Sequence, residues 1–267
     1  MAVFSLIGGS GFLGRSLINV LKLSGHEVRV IERNKFPDVS KNCGNVIYCA
    51  GVTRDFKLRS RDIIESHVCY LSTVLRTISC DSFLYLSSAR IYENYPTTNE
   101  ETKIFCDPFG ISNFYNLSKL FGESVVMNSS VRAPKVARLS YVVDGISDQF
   151  FGPLIESAKS GVIYLKGHAD TEKDFLLLDD ASEILTKISL DGNSEIYNVA
   201  SGCNLSFKKL GSLLENYLKC RVVFEHGWQK RSPAPIEVKK VSNKFNFQPR
   251  SVVSELEKVF GKVTSYD

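Results

Sequence analysis

The stretch Gly8-Gly9-Ser10-Gly11-Phe12-Leu13-Gly14, in which a glycine recurs at every third position, decides the fold. It follows the apolar run Val3 to Ile7, which is typical of a buried parallel strand, and it opens a helical segment extending to about Leu23. The first glycine permits a tight turn, the second lets backbone approach a pyrophosphate, and the third lets helix and strand pack closely. Free N–H groups at the helix N-terminus attract phosphates. This pattern, in this strand–helix context, predicts a dinucleotide-binding site.

A second strand, Val28 to Ile31, follows and ends at Glu32, 18 residues past Gly14. A carboxylate at that position accepts hydrogen bonds from an adenosine ribose, which favours NAD. Arg33 is next to it, and an arginine there can pair with a 2′-phosphate. Because Glu32 repels such a phosphate, we expect NAD as the cofactor and leave NADP open.

The next buried strand, Val46 to Gly51, comes too soon for a complete dinucleotide-binding sheet. Only 13 residues separate Glu32 from Val46, which is too few for a strand and its crossover helix. The sequence therefore predicts an α/β protein with a Rossmann-type, doubly wound parallel sheet whose third strand is missing. We expect residues 1–141 to form the dinucleotide-binding domain, with 174–200 returning to it. Residues 142–267 are expected to form a small substrate-binding lobe.

Composition excludes several classes of protein. The chain has 267 residues, 43% of them apolar and 23% charged, with a net charge of +4, as in ordinary globular proteins. The sequence has no basic run with interleaved aromatic residues, so nothing in it indicates nucleic-acid binding. The seven cysteines lack a Cys-x-x-Cys pair and the four histidines are far apart, so we expect reduced thiols and no metal. The apolar N-terminal run is too short for a signal peptide or a membrane span, so we expect a cytoplasmic protein.

Three polar residues further along the chain are candidates for catalysis. Tyr115 and Lys119 are four residues apart in a predicted helix and therefore lie on one face of it. A nearby ammonium favours the phenolate form of a tyrosine. Ser88 follows the buried strand Phe83 to Leu86, at a strand end where ligands bind in open α/β folds. Each feature alone is common, but together with the glycine loop they indicate an acid/base site beside a nicotinamide.

The whole pattern resembles the extended short-chain dehydrogenase/reductases, the NAD-dependent epimerase/dehydratase family that acts mostly on nucleotide sugars. The resemblance covers nearly the whole chain. Besides the glycine loop and Glu32, it is carried by Val46 to Gly51, Leu86 to Tyr92, Tyr115 to Glu123, Arg138 to Ser140, Lys173 to Asp180, Ile196 to Gly202 and Lys244 to Pro249.

The resemblance implies a role for each site residue. Tyr115 would be the acid/base, Lys119 would hold the nicotinamide ribose and lower the tyrosine pKa, and Ser88 would hydrogen-bond the reacting sugar oxygen. The substrate would contact Ser88, Arg90, Lys173 and Arg231. The implied cofactor-binding residues are Gly8, Ser10, Gly11, Phe12, Leu13, Gly14, Glu32, Arg33, Cys49, Ala50, Gly51, Leu86, Ser87, Tyr115, Lys119 and Tyr141.

Departures from the family pattern narrow the expected reaction. The 4,6-dehydratases of the family carry an Asp-Glu pair where this chain has Ala89 and Arg90, so the acid and base that eliminate water are absent. The family's usual asparagine after the sixth strand is Tyr141 here, and its phosphate-binding arginine is Lys173, which cannot bind in a bidentate manner.

The short middle region, with Ala50 to Arg54, is similar to the reductase domain of bacterial capsule enzymes that act on UDP-linked ketosugars. This favours a 4-ketosugar reductase in bacterial surface polysaccharide biosynthesis. A nucleotide-sugar epimerase that retains its NAD is the alternative. A non-catalytic dinucleotide-binding regulator is a third possibility, although it would not need Ser88, Tyr115 and Lys119. In relatives, the helices corresponding to Asp62–Ser79 and Ser112–Asn128 pair across a two-fold axis, so we expect a homodimer.

Overall fold

The structure, a computed structural model, describes residues 1–32, 41–52, 56–110 and 113–263, with side chains up to residue 260. Its main sheet has six parallel strands in the order β2-β1-β3-β4-β5-β9. These strands are β1 (Val3–Ile7), β2 (Glu27–Ile31), β3 (Asn45–Tyr48), β4 (Ser82–Ser88), β5 (Pro134–Leu139) and β9 (Ile196–Val199).

The helices over the chain are α1 (Phe12–Leu23), α2 (Ser60–Ile64), α3 (Tyr70–Thr77), α4 (Asn113–Met127), α5 (Phe151–Ala158), α6 (Leu178–Asp191), α7 (Phe207–Leu218), α8 (Lys239–Phe245) and α9 (Val252–Val263). A π-helical turn, Glu65–Cys69, joins α2 to α3. The predicted helix Asp62–Ser79 is therefore present but interrupted by this turn. The predicted helix Ser112–Asn128 corresponds to α4, and Ser112 itself lies outside the described residues.

Helices cover both faces of the main sheet, as a doubly wound fold requires. On one face, α1 and α6 pack on alternate strand residues that include Phe4, Leu6 and Ile47. On the other face, α3 and α4 pack on the intervening residues, such as Tyr48 and Phe83. Successive side chains of a strand point to opposite faces, so strands buried on both faces read as unbroken apolar runs.

Strand β1 pairs with β2 on one side and with β3 on the other. Within the ranges that the structure describes, β2 is the edge of the sheet, and Glu27, Arg29 and Val30 on it are exposed. This arrangement agrees with the short connection from which the loss of a third strand was predicted. The Rossmann-type α/β fold is therefore as expected.

A second layer of small sheets follows β5. Strands β6 (Tyr141–Val143), β8 (Glu172–Leu177) and β10 (Asn204–Ser206) form one sheet, and β7 (Val162–Leu165) pairs with β11 (Arg221–Phe224). Helices α5, α7 and α9 pack with these strands around their own core, which includes Phe151, Phe175 and Phe260. Among the described residues, no helix is both long and apolar enough to cross a membrane.

One buried ion pair joins the main sheet to α4. Arg138 on β5 donates two hydrogen bonds to Glu123 on α4, with a shortest distance of 2.7 Å, and both side chains are about 5% exposed (5% and 6%). The hydroxyl of Ser87 on β4 also donates to Glu123, and Arg138 donates to the hydroxyl of Tyr92. The pair therefore holds α4 at a defined position against β4 and β5.

Removing one partner of this pair should be costly. We expect Arg138→Met to lower the free energy of unfolding by about 3–5 kcal/mol, because it leaves a buried carboxylate without its cation. The double variant Glu123→Leu/Arg138→Met should recover most of that loss. Urea denaturation measures both. Lys187→Met, which breaks an exposed pair with Glu183, is the control and should cost less than about 1 kcal/mol. A similarly small effect of Arg138→Met would contradict this expectation.

Candidate active site

The glycine loop forms a tight turn between β1 and α1. Gly8 has a φ of +85°, and its carbonyl accepts a hydrogen bond from Gly11 N–H at 3.1 Å. A Cβ atom on Gly8 would lie 2.6 Å from the backbone nitrogen of Ala50, and one on Gly14 would lie 2.6 Å from the Gly8 carbonyl oxygen. Both distances are far below van der Waals contact, so packing within the protein itself requires these two glycines.

Gly11 has a different surrounding. Within 4 Å, a Cβ atom there would meet the Gly8 carbonyl oxygen alone, at 3.4 Å, so the space in front of the residue is open. Gly11 caps α1 without a side-chain hydrogen bond, and the first turn of α1 holds no acidic residue. Free N–H groups beside open space suit a pyrophosphate. Ser10 is exposed here, and Phe12 and Leu13 are half-buried in the first turn.

The ribose-recognition residues lie at the end of β2. Glu32 is exposed directly after the strand. Arg33 lies outside the described residues, as do Thr53 and Arg54 in the segment similar to capsule reductases. The preference for NAD over NADP therefore stays a prediction.

The segment after β3 lies between the glycine loop and α4. Ala50 contacts Gly8, and a Cβ atom on Gly51 would lie 3.5 Å from Lys119 Nζ. Burial raises the pKa of the Cys49 thiol to about 12, and the charge of Lys119 opposes this shift only in part. Cys49 is therefore a neutral thiol, in a segment whose backbone contacts Gly8 at Ala50 and lies close to Lys119 at Gly51.

The structure brings Ser88, Tyr115 and Lys119 together. Ser88 ends β4, and the other two are on the first turns of α4, both 5–6% exposed (Lys119 5%, Tyr115 6%). Burial raises the pKa of Tyr115, whereas a hydrogen bond with Ser88 and the charge of Arg90 oppose the rise. At pH 7 the tyrosine is a neutral phenol, as its ordinary pKa already requires, and it interacts with Ser88, the serine that the sequence paired with it.

Lys119 has a hydrogen-bond partner within the protein. Its Nζ donates a hydrogen bond of 2.9 Å to the Leu86 carbonyl and lies 5.9 Å from the centroid of the Tyr115 ring. Burial lowers the pKa of Lys119 to about 7, with Glu123 and Cys49 opposing. Burial has the largest effect on the pKa of Tyr115, and Ser88 and Arg90 are the groups that oppose it. The role of Lys119 toward the tyrosine stays a prediction.

Two other predicted cofactor residues have internal partners. The Leu86 carbonyl accepts from Lys119, and the hydroxyl of Ser87 donates to Glu123 in the buried ion pair. Since the side chain of Ser87 is 4% exposed and already hydrogen-bonded, only its backbone remains for a ligand.

The predicted substrate residues Arg90, Lys173 and Arg231 gather around Glu93. Arg90 lies 3.2 Å and Arg231 lies 2.7 Å from carboxylate oxygens of Glu93. Burial, together with the charges of Arg90 and Arg231, lowers the pKa of Lys173 to about 8. Three cations around one carboxylate leave an excess of positive charge, which suits an anionic ligand. Sequence reasoning missed Glu93, although its position three residues after Arg90 on a short helical turn was a signal for an ion pair.

Tyr141 lies beside Lys173, a predicted substrate residue, although it was predicted to bind the cofactor. The Lys173 ammonium lies 4.4 Å from the centroid of the Tyr141 ring and 5.4 Å from that of Phe150. The structure therefore places Tyr141 with a predicted substrate residue, because β6 pairs with β8, the strand that carries Lys173. Sequence reasoning had assigned Tyr141 to the cofactor.

A buried histidine, His67, also contacts this site and had no predicted role. It comes from the π turn between α2 and α3, and no local motif marks it.

A family model, described as the NAD-dependent epimerase/dehydratase family, matches residues 5–200. The chain belongs to this family, so the resemblance to extended short-chain dehydrogenase/reductases is confirmed, and the chain is an enzyme of that type. No curated protein matches its sequence.

Solved structures share the fold along nearly the whole chain. The NAD-dependent NDP-hexosamine 5,6-dehydratase TunA is 17% identical with a TM-score of 0.81, and the match covers 99% of this chain and 98% of that one. MoeE5 in complex with UDP-glucuronic acid and NAD is 16% identical with a TM-score of 0.79, covering 99% of both chains. RMD from Pseudomonas aeruginosa, complexed with NADPH, is 17% identical with a TM-score of 0.77, covering 97% and 98%.

The lowered pKa of Lys119 predicts a pH-dependent stability. Between pH 7 and 10.5 the unfolded chain holds a proton on Lys119 that the folded chain releases, so this residue penalises folding fully below pH 7 and less as the pH rises. The stability advantage of Lys119→Met over the wild type should therefore shrink by up to about 1.4 kcal/mol per pH unit above pH 7. Denaturant unfolding at pH 7, 8 and 9 measures it.

Lys239→Met is the matched control for this experiment, because the Lys239 side chain is 80% exposed. Its stability relative to the wild type should be independent of pH over the same range. A pH-independent difference for Lys119→Met as well would show that the buried amine keeps an ordinary pKa.

Proposed function

We propose that the chain is an NAD(P)H-dependent nucleotide-sugar oxidoreductase, and specifically a 4-ketosugar reductase of bacterial surface polysaccharide biosynthesis, working in the cytoplasm. The observation that carries this proposal is the neutral Tyr115 phenol. It is buried, interacts with Ser88, and lies where the carboxyl end of β4 meets Lys119. Reduction of a ketone needs a proton donor, and a neutral phenol is the donating form.

The residues around the reacting oxygen have separate roles. The nicotinamide supplies the hydride chemistry when bound. Ser88 orients the oxygen and Tyr115 gives it a proton, so that negative charge does not accumulate there. The N-terminus of α1, with Gly11 at its cap, would hold the pyrophosphate, and the backbone of Ala50 and Gly51 would contact the nicotinamide half.

The arrangement after Ser88 supports reduction without loss of water. Ala89 and Arg90 replace the carboxylates of the family's dehydratases. The next carboxylate, Glu93, is engaged by Arg90 and Arg231, so it is not available as a base. The same cluster supports a sugar diphosphate as the substrate, because Arg90, Lys173 and Arg231 carry more positive charge than Glu93 neutralises. MoeE5, which has the same fold, is seen with UDP-linked sugars.

The homodimer also belongs to this proposal. Ile64 on α2 and Phe121 on α4 are 38% and 61% exposed, and the two helices pack side by side. These helices would pair with the same helices of a second copy. Light scattering with size-exclusion chromatography distinguishes the dimer from a monomer.

Substitution of Tyr115 tests its role as the proton donor. Tyr115→Phe keeps the ring that packs on Phe56 but removes the acidic hydroxyl, so turnover should fall by about 10²–10⁴-fold while NADH binding is unchanged. The assay uses UDP-, GDP-, CDP- and dTDP-linked 4-ketosugars, each with NADH and with NADPH. Tyr164→Phe, at a tyrosine that is 62% exposed on β7, is the control. An unaltered rate for Tyr115→Phe would overturn the assignment of the acid.

Cofactor retention separates the reductase from the epimerase. A reductase exchanges its spent cofactor at each turnover, so extensive dialysis should remove NAD. One equivalent of NAD retained per chain would favour the epimerase, which oxidises and re-reduces the same sugar.

Substitution of Arg231 tests its place in the substrate site. Arg231→Gln removes one cation from the cluster around Glu93, so the KM for the nucleotide sugar should rise by roughly ten- to a hundredfold, as for loss of one charged hydrogen bond. The Kd for NADH should not change. Arg221→Gln, at an exposed arginine on β11, serves as the control. An unchanged KM would remove Arg231 from the substrate site.

A further inference from the structure

His67 is fully buried and lies at the centre of the predicted site without a role in the mechanism above. It is carried by the π turn Glu65–Cys69, and such turns interrupt helices often at functional sites. The turn is tied to the main sheet, because the hydroxyl of Tyr48 on β3 donates to the carbonyl of Ser66. The imidazole is therefore placed by the sheet as well as by its own helix.

The hydrogen bonds of His67 define its tautomer. The backbone N–H of Val52 donates to Nε2 at 3.3 Å, so Nε2 carries no proton. Nδ1 lies 2.9 Å from the hydroxyl of Ser118, and that hydroxyl donates its only proton to the Tyr115 carbonyl at 2.7 Å. Ser118 must then accept from Nδ1–H. The ring is a neutral imidazole with its proton on Nδ1.

The same ring touches both halves of the site. A Cβ atom on Gly51 would lie 2.9 Å from Nε2, so the segment after β3 rests directly on the imidazole. On the other side, the ring meets the Tyr115 ring edge to face, with centroids 5.7 Å apart. His67 therefore connects Gly51 and Val52 to the first turns of α4.

The charge state of His67 matters to its neighbours. From α4, Tyr115 and Lys119 face the ring, and from the segment after β3 the backbone of Gly51 and Val52 does. Burial and the charge of Lys119 lower the pKa of His67 to about 2. A proton on Nε2 would also break the bond from Val52. The imidazole thus stays neutral and adds no charge beside the Lys119 ammonium.

We propose that His67 is a positioning residue, which uses its two ring nitrogens to lock the cofactor-facing segment Gly51–Val52 to the helix that presents Tyr115 and Lys119. The inference rests on the proposed function, because it assigns the nicotinamide half of the cofactor to this segment. If His67 only filled space in the core, the shape of its ring would be sufficient. The positioning role requires both of its hydrogen bonds as well.

Two substitutions separate shape from hydrogen bonding. His67→Phe keeps a ring against Tyr115 but leaves the Val52 N–H without a partner. His67→Gln keeps a carbonyl oxygen that can accept from Val52 and an amide that can donate to Ser118. His226→Phe, at an exposed histidine, is the control. NADH affinity is measured by fluorescence titration, and kcat is measured with the ketosugar panel.

We expect His67→Phe to weaken NADH binding and to lower kcat, each by roughly five- to a hundredfold, as for an unsatisfied buried donor. His67→Gln should recover most of both, and His226→Phe should match the wild type. Wild-type affinity and kcat in His67→Phe would overturn the proposal. So would a glutamine variant no better than the phenylalanine variant.

A measurement on the wild type does not depend on activity, and it uses a variant only to assign the signal. With ¹⁵N-labelled histidine, NMR should show one imidazole protonated on Nδ1 and bare on Nε2, unchanged from pH 5 to 9 and missing in the spectrum of His67→Gln. Titration of this ring in that range would overturn the proposal. A wild type inactive on every ketosugar would instead refute the proposed function, while the NMR and NADH-binding results would still decide the role of His67.

Discussion

The arrangement of the site depends on one hydrogen bond, which the buried Lys119 side chain donates to the Leu86 carbonyl. An ammonium is costly to bury, so its surroundings must supply partners and exclude further cations. The carbonyl comes from the end of β4, Glu123 provides a favourable charge from one turn along α4, and His67 beside it remains neutral. The positions of β4, α4 and the π turn are therefore linked through one charged group.

Close backbone approach is the second constraint on this edge of the sheet. Gly8, Gly14 and Gly51 each lie where a Cβ atom would come within 3 Å of another group. They are the points at which β1, α1, the segment after β3 and the π turn meet. Gly11 differs, because open space rather than protein lies before it, and that contrast supports a phosphate site at the N-terminus of α1.

Much of the fold was predictable because its signals are local. Unbroken apolar runs predicted β1, β3 and β4, the glycine loop predicted the start of α1, and the 13 residues between Glu32 and Val46 predicted a reduced sheet. The π turn was not predictable, since the apolar spacing of a helix changes little when a single turn widens. Tyr141 lies near Lys173 because β6 pairs with β8, and the sequence does not reveal this contact between residues 32 positions apart.

The sequence by itself determined the chemistry available: a glycine loop for a dinucleotide, a tyrosine and a lysine on one helix face, and no carboxylate directly after Ser88. Only the tertiary structure decided the state of these groups. Burial raises the pKa of Tyr115 above its ordinary value and brings the pKa of Lys119 to about 7, which no spacing along the chain encodes. The tertiary structure also brings Glu93 to Arg231, and His67 to Val52 and Ser118. Desolvation and long-range contacts depend on which elements pack together, and that is a property of the folded chain alone.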